Sequence, residues 1–159
     1  MFLRAYRRDD KRRLQLLYFA SVHDLVTQGY AQPQLDAWAP DVPDKHTWAE
    51  LDDLYCIVVE AQKIPVGFAA VTDGGLLRFF YVHPTMQGKG IGRALIKQIE
   101  RFARKKSWPQ LQVMASTPAQ GFFEKNGFVF QEEQKLTLGG VVIPFLRMTK
   151  PLMFAVAQT

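Results

Sequence analysis

Seven consecutive residues, Gln87-Gly88-Lys89-Gly90-Ile91-Gly92-Arg93, have the types and spacing to hold a phosphorylated ligand. Glycine carries no side chain, so backbone amides at Gly88, Gly90 and Gly92 can approach an anion closely. An amphipathic run begins at Ile91, and the unpaired amides and dipole of a helix N-terminus turn that point into a pyrophosphate site. Lys89 and Arg93 add positive charge. Two familiar phosphate loops do not fit. The dinucleotide fingerprint requires a glycine where Arg93 stands, and no βαβ unit opens the chain. The Walker pattern requires Gly-Lys-Ser/Thr, which is absent at this spacing.

Other reactive side chains offer less. His23, His46 and His83 show no metal-ligand spacing, so no metal is expected. His83 precedes Pro84 at a strand end, a structural position. Cys56 lies in an apolar strand, where a thiol is buried and inert, which disfavours a cysteine nucleophile.

The elements that position the loop follow from periodicity. Phe2 to Arg7 alternates as a strand. Asp9 or Asp10 can cap a helix. Leu14, Leu17, Tyr18, Val22 and Leu25 then recur at helical spacing up to about Gln28, and Gly29 ends the run. From Tyr30 to Asp53 the chain is irregular, with Pro33, Pro40 and Pro43 around short helical pieces near Leu35–Trp38 and Thr47–Leu51. Trp38 and Trp48 there either fill core beneath a long loop or line a ligand pocket.

Tyr55–Glu60, Ile64–Thr72 and Leu76–Val82 read as an antiparallel meander, with a turn at Asp73-Gly74-Gly75 and an unpaired or bulged position at Pro65. After the glycine loop, Ile91, Leu95, Ile99 and Phe102 share one helix face. Arg93, Lys97, Glu100, Arg101 and Arg104 occupy the other, with Glu100 and Arg104 spaced for an ion pair. Leu111–Ala115 is a strand, parallel to its predecessor through a right-handed crossover. Pro118 opens a further helix that Asn126-Gly127 closes. Phe128–Leu136 and Val141–Thr149 form a hairpin around Gly139-Gly140. The result is a mixed α/β sheet in a single domain over residues 1–150, followed by a loose tail, 151–159.

The chain has 159 residues, 48% of them apolar and 22% charged, as in an ordinary globular domain. No apolar run reaches the ~18 residues of a membrane span, and the charged N-terminus lacks a signal core. A lone cysteine, with no partner for a disulfide, fits a cytoplasmic location. Lys and Arg number 20 against 15 acids, a net charge of +5. That excess suits an anionic ligand, either a nucleotide or a nucleic acid.

Taken together, the loop and its surroundings resemble the GNAT superfamily of acetyl-CoA-dependent N-acetyltransferases. The family signature Q/R-x-x-G-x-G/A matches Gln87, Gly90 and Gly92, with Phe80-Tyr81-Val82-His83-Pro84 upstream. Downstream, Ala119 and Phe122-Phe123-Glu124-Lys125-Asn126-Gly127-Phe128 look like the A-x-x-F-Y-E-K-x-G-F segment. The resemblance extends over about Phe2 to Lys150. It implies a mostly antiparallel sheet of about seven strands with one parallel pair around a cofactor cleft, flanked by about four helices. It also implies transfer of an acetyl group from acetyl-CoA to a primary amine, by direct attack in a ternary complex. Homodimers are common among such enzymes, and neither a membrane nor a nucleic acid is an expected partner.

Carried over, the backbone of Phe80, Tyr81 and Val82 would bond the acetyl and pantetheine groups, and the amides of Gly88 to Arg93 the pyrophosphate. Ser116 stands where many members place an asparagine that contacts pantetheine, and Phe122 and Phe123 would pack against that arm. The sequence departs from the family at the chemistry. The usual tyrosine acid falls at Phe123, the glutamate base of some members falls at Leu76, and the basic Arg78 stands on the same strand. Glu60 and Asp73 are the candidates for a base acting through water, against a reading of each as a solvated strand-end or turn residue. Arg78 and Trp38 are candidates for binding the acceptor. Two other classes of function compete: an acetyl-CoA sensor without catalysis, and a nucleic-acid binder using Arg101, Arg104, Lys105 and Lys106 with Phe79, Phe80 and Tyr81.

Overall fold

A computed structural model describes residues 1–152. Seven strands form one sheet in the order β1-β2-β3-β4-β5-β7-β6. They are β1 (Phe2–Ala5), β2 (Tyr55–Ala61), β3 (Ile64–Val71), β4 (Leu76–Val82), β5 (Gln110–Ala115), β6 (Val129–Leu138) and β7 (Val141–Pro151). Every neighbouring pair is antiparallel except β4 and β5. The helices are α1 (Lys11–His23), α2 (Gln32–Trp38), α3 (Lys45–Ala49), α4 (Ile91–Lys105) and α5 (Gln120–Lys125). None of them is long and apolar enough to cross a membrane.

The middle of the sheet is buried on both faces, which is why β2 and β3 read as near-continuous apolar runs. Ile57 and Val59 of β2 join Leu95, Ile96 and Ile99 of α4 in one core. Cys56 and Val58, the alternate residues, join Leu14 and Leu17 of α1 and Trp48 in the other. A third cluster seats Leu35 of α2 with Val22 and Tyr30 against Ile143 and Phe145 of β7. Trp48 is thus core, ringed by Tyr18, Phe68 and Phe79 at centroid distances of 5.1–6.2 Å. Cys56 is buried, and loss of water pushes its thiol far above the usual range.

Two bulges interrupt the ladder. On β2–β3 the register steps from Val59↔Gly67 to Glu60↔Pro65, so the proline sits beside an unmatched Val66, as its missing N–H requires. On β3–β4 it steps from Ala70↔Phe79 to Val71↔Leu77, leaving Arg78 as the additional residue.

The N-terminal helix differs from its sequence reading in two ways. It tightens into a 3₁₀ turn over Asp24–Gln28 before Gly29 ends it at φ +104°. Asp10 also does not cap it with its side chain. That carboxylate instead accepts two bonds of 2.8 Å from the Arg4 guanidinium and one from the Arg7 N–H. Burial would raise its pKa, but these donors outweigh it and hold the group below the ordinary carboxylate range. Glu100 of α4 is bonded by Lys150 of β7, whose ammonium also donates to the Asn126 carbonyl and so ties α4, β7 and the α5 terminus together. The first two residues of the expected loose tail are held in place: Pro151 pairs with Gln110, and Leu152 is buried with its N–H on the Pro109 carbonyl. Residues 153–159 lie outside the described part.

Candidate active site

Strands β4 and β5 pair only at Leu76↔Gln112 and Leu77↔Val113. Beyond that point they part, because the bulge at Arg78 bends β4 away while β5 stays paired with β7 as far as Ala115. A cavity of about 570 Å³ fills the gap. His83 donates its N–H to Val66 of β3, so strand alternation turns the N–H and C=O of Phe80 and Val82 toward the gap instead. The Val82 carbonyl is already taken there by the Ser21 hydroxyl of α1, at 3.0 Å.

At one end of the cavity the glycine loop meets α4. Gly90 is the residue before the helix and holds a left-handed conformation, φ +82°. A Cβ there, or at Gly88, would meet no protein atom within 4 Å, so the backbone faces open space. Ala94 makes the first intrahelical bond, to Gly90, which leaves the amides of Ile91, Gly92 and Arg93 without helical partners. Gly92 has a different reason to be glycine, since its Cβ would lie 2.7 Å from the Phe122 ring. These free amides, the dipole and Arg93 fit a pyrophosphate, and the gap beyond them fits an extended arm.

The aromatic wall comes from α5 and β4. Phe123 is buried and contacts Phe80, Phe122 and Phe128 at 5.1–5.4 Å between centroids. At the far end, Ser21, Leu25 and Gln28 of α1 and its following turn, Trp38, Arg78 and Tyr81 close the cavity. Tyr18 stacks edge-on to Tyr81 at 4.8 Å and donates to the Trp38 carbonyl at 3.1 Å. Loss of water pushes the Tyr81 phenol up to about 12 and Tyr18 higher still, so both stay protonated donors. A smaller cavity of about 240 Å³ lies on the other side of Trp38, between α1 and the loop 39–48.

Of the residues the sequence pointed to for a cofactor, Phe80, Tyr81, Val82, Gln87, Gly88, Gly90, Ile91, Gly92, Arg93, Ser116, Phe122 and Phe123 all line the large cavity. Lys89 does not; it is exposed. The two candidate bases are elsewhere. Glu60 is buried, not solvated, and bonded to Arg4 at 2.7 Å on the β1 side of the sheet. Asp73 is exposed in the β3–β4 turn. Neither lines the cavity. His83 accepts from the Thr85 N–H and shapes the turn after β4. The sequence reading did not name Ser21, Leu25 and Gln28 for the site, although their i, i+4, i+7 spacing puts all three on one helix face.

Residues 26–152 match the sequence pattern of the acetyltransferase (GNAT) domain. The chain belongs to the GNAT family. It is an N-acetyltransferase by that membership. A curated relative, the uncharacterized N-acetyltransferase YafP of Escherichia coli K12, is 28% identical over 141 residues, 87% of each chain. The solved GCN5-related N-acetyltransferase from Rhodopseudomonas palustris superposes with a TM-score of 0.90 at 30% identity, over 95% of both chains. YncA from Salmonella typhimurium, a putative acetyltransferase solved with acetyl-CoA, shares the fold at a TM-score of 0.71 and 19% identity, over 100% of this chain and 98% of its own. Among the described residues no cluster of His, Cys, Asp and Glu could hold a metal ion.

Proposed function

We propose that this GNAT protein transfers the acetyl group of acetyl-CoA to a primary amine by direct attack in a ternary complex. The observation that carries the reading is the continuity of the cavity. It runs from the free amides at the α4 N-terminus, through the β4–β5 gap, to a chamber under α1. In this reading the amides of residues 88–93 and the Arg93 side chain hold the pyrophosphate. The gap-facing amides of Phe80 and Val82 orient the arm and polarise the thioester carbonyl. Phe122, Phe123 and Ser116 flank the arm, and Trp38 and Arg78 meet the acceptor. Complexes with coenzyme A and with acetyl-CoA among fold neighbours support the choice of cosubstrate. The buried, unreactive Cys56 agrees with direct attack and with a reducing cytoplasmic setting.

The test is release of free coenzyme A thiol over a panel of amines, with the acetylated amine confirmed by mass. Tight acetyl-CoA binding without release on any amine would make the chain a sensor instead. Salt-dependent binding of DNA or RNA would favour the nucleic-acid reading.

Phe123 stands where the family often has a tyrosine. A thiol with a pKa near ~8.5 leaves tolerably as thiolate, so a positioned acid adds little. Phe123→Tyr is therefore expected to change kcat by less than roughly tenfold. Phe123→Leu, which gives up three ring contacts, should weaken acetyl-CoA binding more than it lowers kcat. Steady-state kinetics of both variants across pH 6–9 check this. A large kcat gain with tyrosine would show that thiolate departure limits turnover.

A further inference from the structure

The acceptor end of the cavity has an unusual charge balance. Among the described residues that line the cavity, Arg78 and Arg93 are the charged ones, and none is Asp, Glu or His. Arg93 belongs to the glycine loop at the opposite end, so the acceptor chamber holds one cation, Arg78. Because it is the additional residue of the β4 bulge, Arg78 falls on the same face as Phe79, toward α1, with its guanidinium 5.0 Å from that ring. Its charge is felt at the phenols of both Tyr18 and Tyr81. One carboxylate answers it, Glu50 in the turn after α3, through a single contact of 3.3 Å. Glu50 is 54% exposed and Arg78 36%, so the pair gains little from its Coulomb attraction, and another carboxylate can replace Glu50 at small cost.

We infer that the acceptor is a small amine much less basic than a lysine, with an appreciable neutral fraction at pH 7, that carries a carboxylate which Arg78 receives in exchange for Glu50. This rests on the acetyl-transfer reading above. A protonated ammonium entering the chamber would lose water near Arg78, and no carboxylate among the described residues lines the cavity to offset its charge, since Glu50 stands outside the lining; this penalises the charged form. A neutral amine meets a suitable partner: the Ser21 hydroxyl has committed its proton to the Val82 carbonyl and keeps its lone pairs for an N–H donor. In the transfer, the nitrogen lone pair forms the C–N bond and the C–S bond breaks. Sulfur leaves with the electron pair as thiolate, and the extra proton on nitrogen passes to solvent or to that thiolate.

Three probes test this on the intact protein at pH 7: diglycine, diglycinamide and 5-aminopentanoate. Diglycine and 5-aminopentanoate have the same number of chain atoms between amine and carboxylate. Their amines resemble an α-amino group, roughly one in ten neutral at pH 7, and a lysine, roughly one in 2,500 neutral. Diglycine should exceed 5-aminopentanoate in kcat/KM by at least ~100-fold, and its KM should be at least tenfold below that of diglycinamide. Arg78→Gln should erase the diglycine–diglycinamide difference, Arg78→Lys should restore part of it, and Glu50→Gln should lower the diglycine KM. A structural role for the pair would not lower any KM when Glu50 is changed. Turnover of diglycine and 5-aminopentanoate within threefold of each other overturns the inference, as does equal use of diglycine and its amide. Turnover of other amines but none of these probes overturns it while leaving acetyl transfer standing; no turnover of any amine overturns both.

Discussion

Gly90→Val is expected to lower acetyl-CoA affinity by tenfold or more, at least ~1.4 kcal/mol, in a calorimetric titration. The backbone at Gly90 faces open space at the mouth of the phosphate site, and a branched side chain would occupy that space. The same substitution strains the fold, because φ is +82° and a β-branched residue is an outlier there. A left-handed conformation costs an ordinary residue roughly 1–2 kcal/mol. Gly90→Asn separates the two effects, since asparagine tolerates this region while still placing a side chain over the loop. Both variants should bind acetyl-CoA weakly, and the asparagine variant should keep nearly native stability. Native affinity in a folded asparagine variant would remove the pyrophosphate from this loop.

The largest loss of stability is expected from Arg4→Met. Arg4 bridges Asp10 and Glu60, and both carboxylates are about 8% exposed at the side chain. Methionine keeps much of the stem's packing but leaves two buried carboxylates without their cation, a change worth about 3–5 kcal/mol. That is a large share of the roughly 5–15 kcal/mol that holds a domain together. The pH dependence identifies the cause. In the native protein the folded Asp10 pKa lies below its unfolded value, so its contribution is present above about pH 4 and is lost as the pH falls through the folded value. In Arg4→Met burial dominates and raises that pKa, so acid relieves the variant. The difference in urea-unfolding free energy should be greatest near pH 7 and shrink toward pH 3. A constant difference across that range would assign the loss to packing.

The fold was largely legible in the sequence because its signals are local. Alternation and the Asp73-Gly74-Gly75 turn marked the meander, Pro65 marked a bulge, and the face of Ile91, Leu95 and Ile99 marked α4. Much of the lining of the β4–β5 gap was legible for the same reason: the residues named from the sequence fall within two short stretches, 80–93 and 116–123, on either side of one crossover helix. The opposite end was legible only in part: Trp38 and Arg78 were named, whereas Ser21 on α1 and Glu50 in the turn after α3 come from separate segments of the N-terminal third and join that end only through tertiary packing. Glu60 was misplaced on exposure because its partner Arg4 lies 56 residues away, across the β1–β2 pair. Arg78 could not be assigned a face from alternation, since the bulge that redirects it appears only once β3 and β4 are aligned. Asp10 follows the same pattern, as a cap by sequence rule that an arginine on the adjacent strand claims instead.

Amide hydrogen exchange with and without acetyl-CoA tests the central claim most directly, because it locates the cosubstrate without requiring the acceptor. The account predicts that slowed exchange concentrates in residues 78–93, at the gap-facing amides of Phe80 and Val82 and the free amides at the start of α4, with a smaller effect at 114–123. Protection confined to residues 12–48, around the smaller cavity beyond Trp38, or no protection at 78–93 under saturating acetyl-CoA, would contradict it.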